Sequence, residues 1–165
     1  MKKIILFLLG FIFCCNFIYA QDCKYEKNEV DKFSGKKTLL TELLKISNKV
    51  KANTISVRKV EIQTRLVDDQ RILSLKLTYN IDYGVILMAG TENLICILSN
   101  GEKIQLKLIV LGGNFGYYSY LIDDINYDEL IKYDIKNIRV EAHMNGFDFT
   151  VMEGLSTTNI FKCIK

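Results

Sequence analysis

Residues 57–79 read VRKVEIQTRLVDDQRILSLKLTY, and their alternation decides the fold class. Val60, Ile62, Thr64 and Leu66 alternate with Glu61, Gln63 and Arg65, and after Asp68 to Arg71 a second apolar set follows at Leu73, Leu75, Leu77 and Tyr79. A period of two marks a strand with one face buried. Pairing Leu66 with Leu73 sets Thr64 opposite Leu75, Ile62 opposite Leu77 and Val60 opposite Tyr79, which gathers the apolar side chains on one face. A slip of one residue would turn that face to solvent.

Downstream, Ser99-Asn100-Gly101-Glu102 carries the Asn-Gly pair of a two-residue type I′ turn. That turn predicts Ile97 facing Ile104 and Ile95 facing Leu106, with Leu94, Cys96 and Leu98 opposite Lys107, Gln105 and Lys103 on the other face. Leu94 to Leu98 is then apolar on both sides and reads as a central strand covered on both. Between the hairpins, Val85 to Ala89 forms a short strand after Tyr83-Gly84, continuing a β-meander. Glycines at 112, 113 and 116 interrupt the pattern before Tyr117 to Ile122 resumes it. The period then changes: Asn126-Tyr127-Asp128-Glu129 fits a capping box with Asn126 at the N-cap, opening a short helix with Leu130, Ile131 and Tyr133. Ile138, Val140 and Ala142 alternate toward a second Asn-Gly pair at Asn145-Gly146, so that Val140 faces Val151, Ala142 faces Phe149 and His143 faces Asp148. Leu155 to Ile164 ends the chain in a helical turn capped by Ser156 or Thr157.

Upstream, Cys23 to Gly35 is polar and reads as an ordered lead-in anchored by Tyr25, Val30 and Phe33. Periodicity leaves Lys37 to Ile46 open between helix and strand, and context favours strand; Ser47 to Thr54 reads as a loop. The expected fold is mainly β: an antiparallel meander forming a sandwich or a curved sheet, with one short helix and a C-terminal helical turn.

At 165 residues, 49% apolar and 25% charged, the chain has room for one globular domain with a real core. Lys2 and Lys3, the apolar run Ile4 to Phe17 and the small-residue site Ile18-Tyr19-Ala20 make residues 1–20 a secretory signal peptide, leaving 21–165 as a single β-rich domain. Phe13 before Cys14 argues against lipidation, and no stable membrane insertion is expected after cleavage. Without Lys2 and Lys3 the chain has 20 basic and 19 acidic residues, a net charge of +1, which removes the electrostatic case for nucleic acid. Cleavage leaves Cys23, Cys96 and Cys163 in an oxidising compartment, secreted or periplasmic. Cys23 and Cys163 lie near the two ends of the domain and are the expected disulfide, with three free thiols as the alternative.

Candidate chemistry is sparse. The histidine–aspartate pair at His143 and Asp148 could orient a base but has no nucleophile in a recognisable setting, so no catalytic residue is assigned. Asp124, Asn126 and Asp128 have the oxygen-ligand spacing that opens a calcium loop. Glu129 at the sixth position and Ile135 at the twelfth exclude an EF-hand, and the same residues suit a helix N-terminus. Phe115, Tyr117, Tyr118 and Tyr120 sit beside glycines and are the candidate ligand-binding residues, because exposed aromatics can stack on sugars or anchor a peptide; alternate core tyrosines are the competing reading. One histidine and scattered cysteines offer no zinc spacing, and no cofactor is expected.

The segment Cys23-Lys24-Tyr25-Glu26-Lys27-Asn28-Glu29-Val30-Asp31-Lys32-Phe33-Ser34-Gly35, with Ile138-Arg139-Val140 and Phe161-Lys162-Cys163, resembles small secreted β-rich proteins of Bacteroidetes-type bacteria. The resemblance implies an envelope address and carries no functional residue with it. The leading expectation is a non-enzymatic secreted or periplasmic module binding a protein partner or a small ligand. Alternatives are an envelope hydrolase using clustered carboxylates at Asp124 and Asp128, and a structural envelope subunit with an unpaired sheet edge.

Overall fold

A computed structural model describes residues 23–48, 50–52, 55–79, 93–111, 117–141 and 147–165. The protein is mainly β: among the described residues eleven strands form one antiparallel sheet, joined by two short helices. The strands are β1 (Tyr25–Val30), β2 (Lys37–Thr41), β3 (Leu44–Ser47), β4 (Val50–Ala52), β5 (Ile55–Val67), β6 (Gln70–Tyr79), β7 (Asn93–Leu98), β8 (Lys103–Leu111), β9 (Tyr117–Ile122), β10 (Ile135–Val140) and β11 (Phe147–Thr150). Helix α1 spans Asp124–Leu130 and α2 spans Thr158–Lys162.

The sheet order is β1-β2-β5-β6-β9-β8-β7-β10-β11, with β3 and β4 also paired to β5. Two meanders, β1 to β6 and β7 to β9, are joined so that β9 returns beside β6, a Greek-key arrangement. The strand expected over Val85 to Ala89 lies outside the described residues. Strands β2, β3 and β4 run successively along β5, from Thr38 opposite Val67 to Ala52 opposite Ile55, with an irregularity between Lys45 and Ser47. At the break after β2, the Thr41 hydroxyl accepts from the Thr64 N–H at 3.0 Å and supplies the ladder's missing acceptor. The expected loop at 47–54 is therefore partly strand, and the expected lead-in contains β1. Val30 and Phe33 do not anchor it, since both are exposed; Tyr25 does, its hydroxyl donating to the Cys163 carbonyl at 2.8 Å.

Each predicted hairpin forms with a different register. In β5–β6, Asp68 and Asp69 both take positive φ (50° and 63°), the geometry of a two-residue type I′ turn. Thr64 therefore faces Leu73, Ile62 faces Leu75 and Val60 faces Leu77. The shift is two residues, so the buried face is unchanged. In β7–β8, Gly101 has φ 89° and its N–H donates to the Leu98 carbonyl at 3.0 Å, while the Leu98 N–H donates to the Glu102 carbonyl at 2.9 Å. The glycine thus occupies the left-handed position of a three-residue turn with a bulge, not half of a type I′ pair. Leu94 now faces Leu106 and Cys96 faces Ile104. This one-residue slip exchanges the faces: Leu94, Cys96, Leu98, Ile104 and Leu106 are buried together, while Ile95 and Ile97 point outward. In β10–β11, Val140 faces Phe147 and Ile138 faces Phe149, a register four residues from the one that an Asn145-Gly146 two-residue turn sets; that turn lies outside the described residues.

The sheet curls around one core that draws side chains from β2, β3, β5 to β11 and both helices. Tyr120, Phe147, Phe149 and Phe161 are its largest fully buried side chains. The two ends of the curl meet where the Met152 N–H donates to the Ile46 carbonyl at 2.8 Å. Helix α1 is capped by Asp123, whose carboxylate accepts from the Asn126 N–H at 2.8 Å, so the cap lies three residues before the expected Asn126. Helix α2 starts after Thr157, whose hydroxyl accepts from the Ile135 N–H at 2.8 Å and makes no cap bond to its own helix. Capping falls instead to Asp134, which accepts from the Thr158 N–H at 2.9 Å and the Ser156 hydroxyl at 3.1 Å. Cys23 and Cys163 are disulfide-bonded, with Cα atoms 5.6 Å apart, and fasten α2 to the start of β1.

Two stability experiments follow. Replacing Cys23 and Cys163 by serine frees a span of 140 residues; urea melts should show a loss of up to about 5 kcal/mol on the chain-entropy account. For Asp134, burial pushes the carboxyl up, but the Thr158 N–H and the Ser156 and Thr157 donors outweigh it and hold the group below its ordinary 3.8. Its contribution is therefore intact above that value and lost as pH falls through the lower folded value. Asp134→Ala should cost about 1 kcal/mol at neutral pH, and the gap from wild type should narrow in acid as the Asp134 carboxyl of the wild type protonates.

Candidate functional site

The outward turn of Ile95 and Ile97 places apolar side chains on the outer face of β7. Both project from the convex face of β7, flanked by Lys103 of β8 and by Asn137 and Arg139 of β10. With Asp148 of β11 these side chains line a shallow depression of about 290 Å³. Ile95 is buried beneath its neighbours, whereas Ile97 is 44% exposed, so the central strand's second face is only half covered.

The rim is ordered by paired polar groups. Arg139 donates to Asp148 through Nε to Oδ1 at 2.6 Å and Nη2 to Oδ2 at 2.8 Å, a two-pronged guanidinium–carboxylate contact. Those hydrogen bonds hold the Asp148 carboxyl below its ordinary value and push the Arg139 guanidinium higher still, so both stay charged at neutral pH. Asn137 Nδ2 donates to the Thr150 hydroxyl at 3.0 Å. An apolar floor with a charged, hydrogen-bonded rim suits contact with an apolar side chain in a polar setting. A second depression, of about 320 Å³, lies beside the disulfide between the Glu42-Leu43 break and α2.

Of the aromatic residues singled out in the sequence, Tyr118 and Tyr120 belong to the core and Tyr117 is half-buried on the opposite face. They make no common surface patch; Phe115 lies outside the described residues. Burial pushes the Tyr120 hydroxyl well above its usual range. The Lys76 ammonium lies 5.2 Å from the centre of the Tyr117 ring. The calcium-like set does not converge either. Asp124, Asn126 and Asp128 sit at two-residue steps on α1, which places successive members on opposite sides of the helix. Asp124 accepts from Arg71 at 2.7 Å, and that guanidinium lies 4.1 Å from the Tyr127 ring centre; Asn126 is held by Asp123. Among the described residues, no three His, Cys, Asp or Glu side chains are grouped to hold a metal ion. His143 lies outside the described residues, and the Asp148 carboxylate expected opposite it belongs to Arg139.

The disulfide fits an oxidising, non-cytoplasmic compartment. Among the described residues no helix is long and apolar enough to cross a membrane. Compared with protein-family models, curated proteins and solved structures, the chain matches none.

The remaining thiol, Cys96, is fully buried, and burial pushes its pKa up to about 12. Folded protein should therefore resist iodoacetamide at pH 8, and denaturation without reductant should expose one alkylatable thiol among these three cysteines, read by peptide mass spectrometry.

Proposed function

We propose that this protein is a non-enzymatic binding module, secreted or periplasmic, that docks a protein partner over Ile95 and Ile97. The observation that carries the reading is the outward placement of two isoleucines whose direct cross-strand neighbours are Lys103, Gln105, Asn137 and Arg139. An exposed isoleucine, Ile97, beside a buried one, Ile95, within a pre-ordered polar rim matches the centre of a protein interface, where a few such groups supply most of the binding free energy. Lys103 and Arg139 outnumber Asp148 around the floor, so the partner surface that fits best offers an apolar side chain with acidic neighbours. The leader-like residues 1–20, the disulfide and the resemblance to small secreted proteins of Bacteroidetes-type bacteria support an envelope address.

The test is comparative capture from envelope extract of the native organism, read by mass spectrometry. Wild-type protein and Ile125→Asp, changed at an isoleucine 81% exposed on α1, should retain the same partner. Ile97→Asp should lose it while keeping its melting temperature. Retention of the partner by Ile97→Asp, or recovery of none by wild type, would sink the reading.

A further inference from the structure

Strand β1 ends the sheet, and among the described residues it pairs only with β2. We propose that this edge is a homotypic docking site, at which two copies pair β1 to β1 antiparallel about a two-fold axis through Asn28. The backbone phase permits it. The Asp31 N–H donates to the Lys36 carbonyl at 2.8 Å, and the register continues as Val30 opposite Lys37, Glu29 opposite Thr38 and Lys27 opposite Leu40. Because hydrogen-bonded pairs alternate in an antiparallel ladder, Asp31, Glu29 and Lys27 turn their peptide groups toward β2. Asn28 and Val30 turn theirs away from the sheet, and among the described residues no strand lies there to receive them.

Charge then chooses the register. With the axis at Asn28, Lys27 faces the partner's Glu29, Glu29 faces the partner's Lys27, and Val30 faces the partner's Glu26. Moving the axis to Lys27 sets Lys27 against the partner's Lys27, and moving it to Glu29 sets Glu29 against the partner's Glu29; like charges directly opposite are unfavourable, and the Asp31 that Lys27 would then face lies beyond the strand with its carboxylate already engaged by Phe33 and Ser34. Lys27 and Glu29 already pair along the strand at 3.1 Å, so they share a face, and the two-fold completes a ring of four alternating charges. Glu26 to Val30 are all exposed. Past the strand, the turn is ordered by Asp31, whose carboxylate accepts from the Phe33 N–H at 3.0 Å and the Ser34 hydroxyl at 2.8 Å. Phe33 at this tip is fully exposed, at 101%. In the pair each tip extends beside the start of the partner's β1. This surface is independent of the Ile95–Ile97 depression, because five strands separate β1 from β7 in the sheet order.

The test is sedimentation equilibrium of the secreted protein, with charge exchange between copies. Wild type should show a reversible dimer with a dissociation constant between about 1 μM and 1 mM, as a short interface allows. Lys27→Glu and Glu29→Lys should each be monomeric, an equimolar mixture of the two should form a heterodimer, and the double variant should dimerise like wild type. Asn28→Cys should oxidise to a covalent dimer, since hydrogen-bonded antiparallel partners lie about 5.5 Å apart at Cα; Glu26→Cys should not. A monomer up to about 1 mM, or dimerisation indifferent to these exchanges, overturns the proposal.

Discussion

The structure depends on covering one apolar sheet face with very little helix. From β5 to β11 the inner side chains are apolar almost without interruption, yet among the described residues the helices span only Asp124–Leu130 and Thr158–Lys162. Burial of apolar surface stabilises by about 25 cal/mol per Å², and a sheet short of helices can obtain it only by facing itself. Curling does this, and it explains the seam. Ile46 lies at the irregularity between Lys45 and Ser47, where its carbonyl leaves the β5 ladder and becomes available to the Met152 N–H. The remaining gap is filled by α2, with Phe161 and Ile164 fully buried and the Ile160 carbonyl accepting from the Thr64 hydroxyl at 2.8 Å. The disulfide acts at this plug, joining the last helix to the first strand.

Alternation in a sequence records which face a side chain takes, and register is a separate quantity decided at the turn. In β5–β6 and β10–β11 the expected and observed registers differ by even steps, so the buried set survived the error. In β7–β8 the difference is one, and the faces exchanged. The Asn100-Gly101 signal was real, but a glycine with positive φ serves both a two-residue turn and the bulge of a three-residue one. The packing of Leu94, Cys96, Leu98, Ile104 and Leu106 on one side distinguishes them. Conversely, Asp68-Asp69 lacks the glycine that advertises a tight turn, although aspartate tolerates the left-handed region better than most residues. Strand β1 was not legible because its side chains are exposed and backbone pairing alone makes it a strand.

The candidate site was hidden by the same one-residue error. With Ile95 and Ile97 assigned to the core and the strand's other face, Leu94, Cys96 and Leu98, expected to be covered as well, the sequence offers no reason to place isoleucines at the surface, and the exposed aromatics it suggests are tyrosines that pack inside. Tyr118 and Tyr120 face Leu75 and Leu73 across β6, and the parity of Tyr117 to Ile122 fits that placement as well as a surface one. Aromatic composition beside glycines therefore could not choose between them. The acidic run at 123–129 was legible as a helix start, with its cap displaced because Asp123 and Asn126 are both competent and only the chain's exit from β9 selects the earlier one.

Curling also makes the two ends of the sheet unequal. Strand β11 turns toward β4, and the chain just beyond it bonds to β3, so that end is sheltered. The β1–β2 hairpin extends past this seam, leaving β1 with an uncovered side among the described residues. A long apolar strand there would recruit any extended chain, and charged side chains with a bulge between Tyr25 and Lys27 limit that hazard. Protection of this kind discriminates among partners because its repulsion depends on sequence and register. The order glutamate, lysine, asparagine, glutamate sets like charges opposite one another when the two-fold passes through Lys27 or Glu29, and opposite charges when it passes through Asn28. An edge guarded by charge against strands in general is thereby complementary to one strand in particular, its own.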